Sequence, residues 1–185
     1  MSQRLDYGLE ARIEGEEWGS ASTPEFARYE ITPEILWHYS PRYDFTLGYQ
    51  HSETFRANES SLEGDTAIIA AKVKVPFAGE SWMLTSRQQF QFGTGDPAYA
   101  NVFRHQVMLQ YRGFLEKRLQ PFIANEYFLN FSGGGITENR ASIGVGYELN
   151  KATSIELYFM RVDTWMPNQG NVFIPVIGLN LNLHF

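Results

Sequence analysis

The chain has 185 residues, a formal net charge of −6, 43% hydrophobic residues, 15% aromatics and no cysteine. That length suits one domain over residues 1–185, the acidic balance argues against nucleic acid as a partner, and no apolar run reaches the roughly 20 residues a membrane helix needs. A chain of this kind can cross a membrane only as a closed barrel of strands, in which every backbone group finds a partner.

Met1-Ser-Gln-Arg runs straight into the first patterned segment. An exported chain needs a signal peptide, so Met1 is read as a start placed on a mature sequence. From there apolar and polar residues alternate with the period of a strand that has one face in each of two environments. Leu5, Tyr7, Leu9, Ala11 and Ile13 oppose Asp6, Glu10, Arg12 and Glu14. Tyr29, Ile31, Ile35, Trp37 and Tyr39 oppose Arg28, Glu30, Glu34 and His38. Tyr43, Phe45, Leu47 and Tyr49 oppose Asp44 and Gln50, and Ile69, Ala71, Val73, Val75 and Phe77 oppose Lys72 and Lys74. The fifth segment, Trp82 to Phe92, keeps Thr85, Arg87, Gln89 and Gln91 on its polar side.

In the sixth, Phe103, His105, Val107, Leu109 and Tyr111 oppose Arg104, Gln106, Gln110 and Arg112. The seventh, Leu119 to Phe131, has aromatics on both faces, and Glu126 and Asn130 are assigned to the inside. The eighth sets Ala141, Ile143, Val145 and Tyr147 against Arg140, Ser142 and Glu148, and the ninth, Ser154 to Trp165, turns Ile155, Leu157 and Phe159 outward. The last, Phe173 to Phe185, alternates strictly and ends on an aromatic residue, with Gly178, Asn180 and Asn182 as its slim inner face. The pattern therefore predicts about ten strands, an even number as bacterial single-chain barrels have.

The connections alternate in length. Those at Ser40–Arg42, Ala78–Glu80, Gly113–Lys117 and Asn150–Thr153 are short; those at Gly15–Pro24, Ala57–Gly64, Gly93–Ala100, Ser132–Thr137 and Met166–Asn171 are longer. Short periplasmic turns and longer outer loops give that rhythm in an up-and-down transmembrane β-barrel, with both termini on the periplasmic side. Trp37, Tyr39, Tyr43, Phe77, Trp82, Tyr111, Tyr147 and Phe185 fall at the short-turn ends. Trp18, Phe26, Tyr29, Phe55, Phe92, Phe103, Trp165 and Phe173 fall at the other ends, which makes two aromatic girdles. A soluble barrel would turn its apolar face inward, and the opposite face here carries too many charges for a dry core.

From Arg87 onward, the stretches R-Q-Q-F, F-R-H-Q-V-M-L-Q-Y-R, P-F-I-A-N-E-Y-F, N-R-A-S-I-G-V-G-Y-E-L and the closing G-L-N-L-N-L-H-F resemble the outer-membrane barrels grouped as domain of unknown function 2490. The likeness covers the second half well and the first half in rhythm. It implies a Gram-negative outer-membrane barrel and brings no catalytic residue with it. Its charged inner positions correspond here to Arg87, Arg104, Glu126 and Arg140.

The informative chemistry is the inward charge. Segments one to three are mainly acidic and four to eight mainly basic, so an acidic wall partly faces a basic one. Glu10, Arg12, Glu30, Glu34, Lys72, Arg87, Arg104, Glu126 and Arg140 are the candidate pore lining. Across a wet lumen they orient small polar solutes; across a narrow one they pair and plug it.

His38, Ser40 and Asp44 form a triad by residue type without evident oxyanion donors, and turn capping by Ser40 and Asp44 explains them as well. His51 and Ser52, being adjacent, point to opposite faces, and His105 points to lipid. No catalytic residue, metal site or cofactor is therefore assigned. Leu181, Leu183 and Phe185 are the candidate assembly signal, with outer-membrane lipid and the barrel-assembly machinery as partners.

The leading expectation is a narrow channel or passive transport component for small polar solutes. The alternative is a closed barrel acting as anchor or partner subunit in an envelope complex, with Trp18 and Trp165 as loop contacts; an envelope enzyme is third.

Overall fold

The computed structural model describes residues 3–16, 26–56, 61–94, 101–131, 135–166 and 170–185. Within them the chain forms ten strands: β1 (Arg4–Glu16), β2 (Phe26–Ser40), β3 (Tyr43–Arg56), β4 (Leu62–Phe77), β5 (Trp82–Thr94), β6 (Val102–Tyr111), β7 (Leu119–Asn130), β8 (Gly135–Asn150), β9 (Thr153–Met166) and β10 (Gly170–His184). Each pairs antiparallel with its neighbours in sequence, and β1 pairs with β10, so the sheet closes into an up-and-down barrel. The seam runs from Gly8–His184 to Glu16–Val176. Beyond it, the Phe185 N–H donates to the Tyr7 carbonyl at 2.8 Å, so the last residue is still tied to the wall.

One rim carries both described chain ends and the short turns at Pro41–Arg42, Ala78–Ser81 and Lys151–Ala152; it is called the terminal rim here, and the opposite one the far rim. The connection before β7 includes a short 3-10 turn at Leu115–Lys117. Register shifts fall at His38/Ser40, Phe128/Leu129 and Glu148/Asn150.

The outer wall is apolar and open to its surroundings: Ile13, Leu47, Ile69, Ile123, Ile143 and Leu157 are all more than half exposed. Burying this surface in water-soluble form would need another layer, and the described residues supply none; a bilayer is the environment in which such a wall is satisfied. Exposed Trp37, Tyr39, Tyr43, Phe77 and Tyr147 ring the terminal rim, with Trp37 packed edge-on against Tyr39. Phe55, Phe92, Phe131, Trp165 and Phe173 stand near the far rim. Trp18 and the side chain of Phe26 lie outside the described residues.

The outer wall is not uniformly apolar. On β5 to β8 Gln88, Ser86, His105 and Tyr127 form a hydrogen-bonded chain, Gln88 Nε2 donating to Ser86 Oγ at 2.8 Å, and Ser86 Oγ and Tyr127 OH flanking His105 at 3.0 and 2.7 Å. Asn125 and Asn139 exchange amide hydrogen bonds beside it at 3.1 and 3.2 Å. Polar groups facing lipid are tolerable when they satisfy one another in this way.

Inside, the expectation of a polar face needs correction. Phe122, Tyr158, Met160, Val162 and Val176 form a buried apolar cluster against the inner wall, with Met108, Ala124 and Ile174 packed on it. The ambiguity of segment seven resolves as Phe122 and Phe128 inside together with Glu126, and Ile123 and Asn125 outside. Two glycines make the room. A Cβ at Gly144 would lie 2.6 Å from Phe122 Cζ, and one at Gly178 would collide with the phenol end of Tyr158. The slim inner face of β10 is therefore the seat of an aromatic side chain from β9.

Gly178→Ala is expected to cost about 1–3 kcal/mol, the usual range for overpacking. Adding Tyr158→Ala removes the clash, so the pair should cost less than the two single changes combined. Urea unfolding of the barrel in micelles checks this; additive costs would show that the ring does not rest on Gly178.

Candidate functional site

Register aligns the inward charges in a way that alternation alone does not reveal. Arg4, His38, Asp44, Lys72, Arg87, Gln106, Glu126 and Arg140 are successive cross-strand partners from β1 to β8. Strands tilt in a barrel, so this direction climbs. The row starts at the first residue of β1 and, one strand beyond Arg140, reaches Val162 close to the far end of β9. The charges thus wind up the lumen as a spiral.

At the terminal rim the spiral is open. A cavity of about 500 Å³ is lined by Arg4, Asp6, His38, Lys74, Arg112, Glu148 and His184, among others. His38 is held between Asp44 at 2.8 Å and Asp6 at 3.3 Å, and Lys74 pairs with Asp44 at 2.5 Å. The Ser40 hydroxyl accepts the Arg42 backbone N–H at 3.2 Å, so it caps the turn and does not meet His38. Among the described residues there is no group of three or more His, Cys, Asp or Glu placed to hold a metal ion.

Deeper in, two cavities of about 150 and 220 Å³ share Glu10, Arg12, Lys72, Arg87, Glu156 and Asn182. The second also shares Ser154, Glu156 and His184 with the rim cavity, so the three adjoin along the lumen and are treated together as a recess. So many ionised groups cannot line a dry space without partners, and the recess is therefore a wet one.

Toward the far rim the packing changes. Val102 is 1% exposed, Phe128 3%, Gln91 3% and Arg28 5%. Two charge networks occupy this level. Arg104 grips Glu126 with two parallel hydrogen bonds of 3.0 Å, the bidentate geometry that makes Arg–carboxylate pairs strong, and Arg87 reaches the same carboxylate at 3.4 Å. Arg12 lies 2.9 Å from Glu10, 3.7 Å from Glu14 and 3.6 Å from Glu30, and Arg28 joins Glu30 at 2.7 Å. Between them, the guanidinium groups of Arg104 and Arg140 sit over the Phe128 ring at 4.6 and 4.5 Å. Tyr158 donates to Glu14 at 2.9 Å and joins this layer to the apolar cluster.

All nine residues expected to line the pore face inward. All nine line the two deeper cavities: Glu30, Arg104, Glu126 and Arg140 are buried there, while Glu10, Arg12, Glu34, Lys72 and Arg87 are half-buried. The expected confrontation of an acidic with a basic wall is only part of the arrangement. Arg12 pairs with acids of its own side and Glu126 with bases of its own, so much of the charge is settled between neighbouring strands. Phe128, Tyr158 and Glu156 were not among the expected lining. Glu156 and Tyr158 follow from the parity of segment nine once Ile155, Leu157 and Phe159 face out.

The family model described as protein of unknown function (DUF2490) matches residues 1–171. The chain belongs to this family. The match takes in the first half as well as the second, and it stops before the closing G-L-N-L-N-L-H-F, which the sequence likeness had included. Two solved structures of the KdgM porin, one in complex with disordered oligogalacturonate, are similar over 100% of this chain and 99% of theirs, each with 10% identity and a TM-score of 0.52. At that identity the likeness is one of fold. No curated protein matches the chain.

Glu126 is expected to be the most sensitive charge in the far layer. Glu126→Gln leaves Arg104 buried without its counter-ion and should destabilise the barrel by about 3–5 kcal/mol, whereas Glu126→Gln with Arg104→Met should recover much of that loss. Urea midpoints of the two variants decide it; a double variant as weak as the single one contradicts the pairing.

Proposed function

We propose that the protein is a narrow conduit for small polar solutes in the bacterial outer membrane, closed at rest by the layer around Arg104, Glu126 and Phe128. The observation that carries this is the wet, charge-lined recess that runs from the terminal rim to that layer. A barrel serving only as an anchor has no use for a lumen in which the charges of so many strands face water. With the terminal rim periplasmic, the layer stands on the outer side, where it would control exchange with the exterior. KdgM, a solved protein of similar fold, is a porin, and one of its structures is a complex with oligogalacturonate, which is in keeping with a conducting role. Leu181, Leu183 and Phe185, on the outward side of the closing strand, serve in this reading as the signal for the assembly machinery.

The far layer is held by ion pairs, and water can substitute for an ion pair more readily than for apolar packing. Weakening the pairs should therefore open the lumen. In planar bilayers the wild-type protein is expected to show brief, small conductance steps, and Glu126→Ala to raise open time or step size several-fold. If both proteins insert and neither conducts at any voltage or salt, the conduit reading fails. The sealed-anchor reading, which the dense packing at Val102 and Phe128 favours, then takes its place.

A further inference from the structure

The middle of the lumen holds basic and acidic side chains that the protein itself leaves without an ion-pair partner. Among the described residues Lys72, Glu34 and Glu156 form no ion pair within 4 Å, and Glu156 accepts a hydrogen bond from the Asn180 amide at 3.2 Å. Lys72 lies directly across from Arg87 in the β4–β5 register, and like charges so placed repel unless something anionic joins them. Arg87 touches Glu126 only at 3.4 Å and leaves its buried Nε without a partner.

Their placement around the barrel is bipolar. In a ring of ten strands, β4 with Lys72 and β9 with Glu156 stand five strands apart, which is diametrically opposite. Glu34 on β2 and Glu10 on β1 extend the acidic side, and Arg87 on β5 extends the basic one. The arc between them on β6 and β7 presents Met108, Phe122 and Ala124, beside Gln106 and Glu126, to the same cavity as Lys72, Arg87 and Glu156. The two connected spaces of about 150 and 220 Å³ admit a molecule of amino-acid size. Each lies below the roughly 300 Å³ at which pockets for drug-sized ligands begin.

We propose that this level of the lumen is a binding site for a small zwitterion that carries an apolar group. Its anionic end lies against Lys72 and Arg87, its ammonium end against Glu34 and Glu156, and its apolar part against Met108 and Phe122. A simple cation satisfies one wall and leaves Lys72 and Arg87 in mutual repulsion; a simple anion leaves the acids in theirs. Only a dipolar solute answers both. The inference rests on the conduit reading for how the solute arrives, while binding itself needs no conduction.

Calorimetry on the folded barrel in micelles tests it with L-leucine and its two half-analogues, isoamylamine and 4-methylpentanoate, and folding is checked by gel mobility without boiling. Leucine is expected to bind at least about fivefold tighter than either half-analogue. Lys72→Met should bring leucine down to the level of the amine, and Glu156→Gln should weaken leucine and amine together. Equal binding of amine and leucine, or no binding of any probe, overturns the proposal. Salt conductance without leucine binding refutes this site and leaves the conduit standing; leucine binding without conductance keeps the site and removes the conduit.

Discussion

The pairing of β1 with β10 is the constraint on which everything else hangs. A sheet in lipid cannot leave an edge of unpaired N–H and C=O groups, because nothing in hydrocarbon replaces the missing hydrogen bonds. Closing the edge from Gly8–His184 to Glu16–Val176 gives each strand one face to lipid and one to the lumen. It also brings Glu10 and Arg12 of the first strand beside Asn180 and Asn182 of the last, with Arg12 Nε donating to Asn180 Oδ1 at 3.0 Å. The acidic side of the lumen is therefore assembled across the seam, from both ends of the chain.

Closure at ten strands leaves an interior too narrow for a broad channel and too wide to be filled by small residues. The molecule meets this in two ways along its axis. Near the far rim, large side chains fill the space: Phe128 lies beneath two guanidinium groups, and Tyr158 lies over Gly178. Nearer the terminal rim, charged residues line the space and water completes it. The change between the two regimes occurs at Arg104, which lines the recess on one side and packs over Phe128 on the other.

Much of the fold was legible in the sequence because the period of a strand is two and both solvents leave their mark on it. Strand number, the assignment of Leu157 and Ile177 to the outside, and the neighbourhood of the first and last strands follow from alternation alone. Register does not. Nothing in the sequence places Lys72 opposite Arg87 or Gln106 opposite Glu126, since a shift by two residues would keep every side chain on its proper face. Pairing within one side of the barrel, as between Arg12 and Glu30, was hidden for that reason. Packing was hidden for another. Gly144 and Gly178 read as slim polar-face residues, and their role as seats for Phe122 and Tyr158 depends on what the next strand presents. Segment seven was ambiguous because aromatic residues really do occupy both of its faces.

The central claim is that the lumen is wet up to the Arg104–Glu126 pair and packed beyond it. The chain has no cysteine, so a single introduced thiol reports on its own position without background. With barrels folded in proteoliposomes, a charged, membrane-impermeant thiol reagent should modify Asn182→Cys and Ser154→Cys within minutes. Val102→Cys should stay unreactive over the same time. Modification of Val102→Cys at the rate of Asn182→Cys would show a lumen open from rim to rim, and protection of both Asn182→Cys and Ser154→Cys would show one that is filled throughout. Either result contradicts the account.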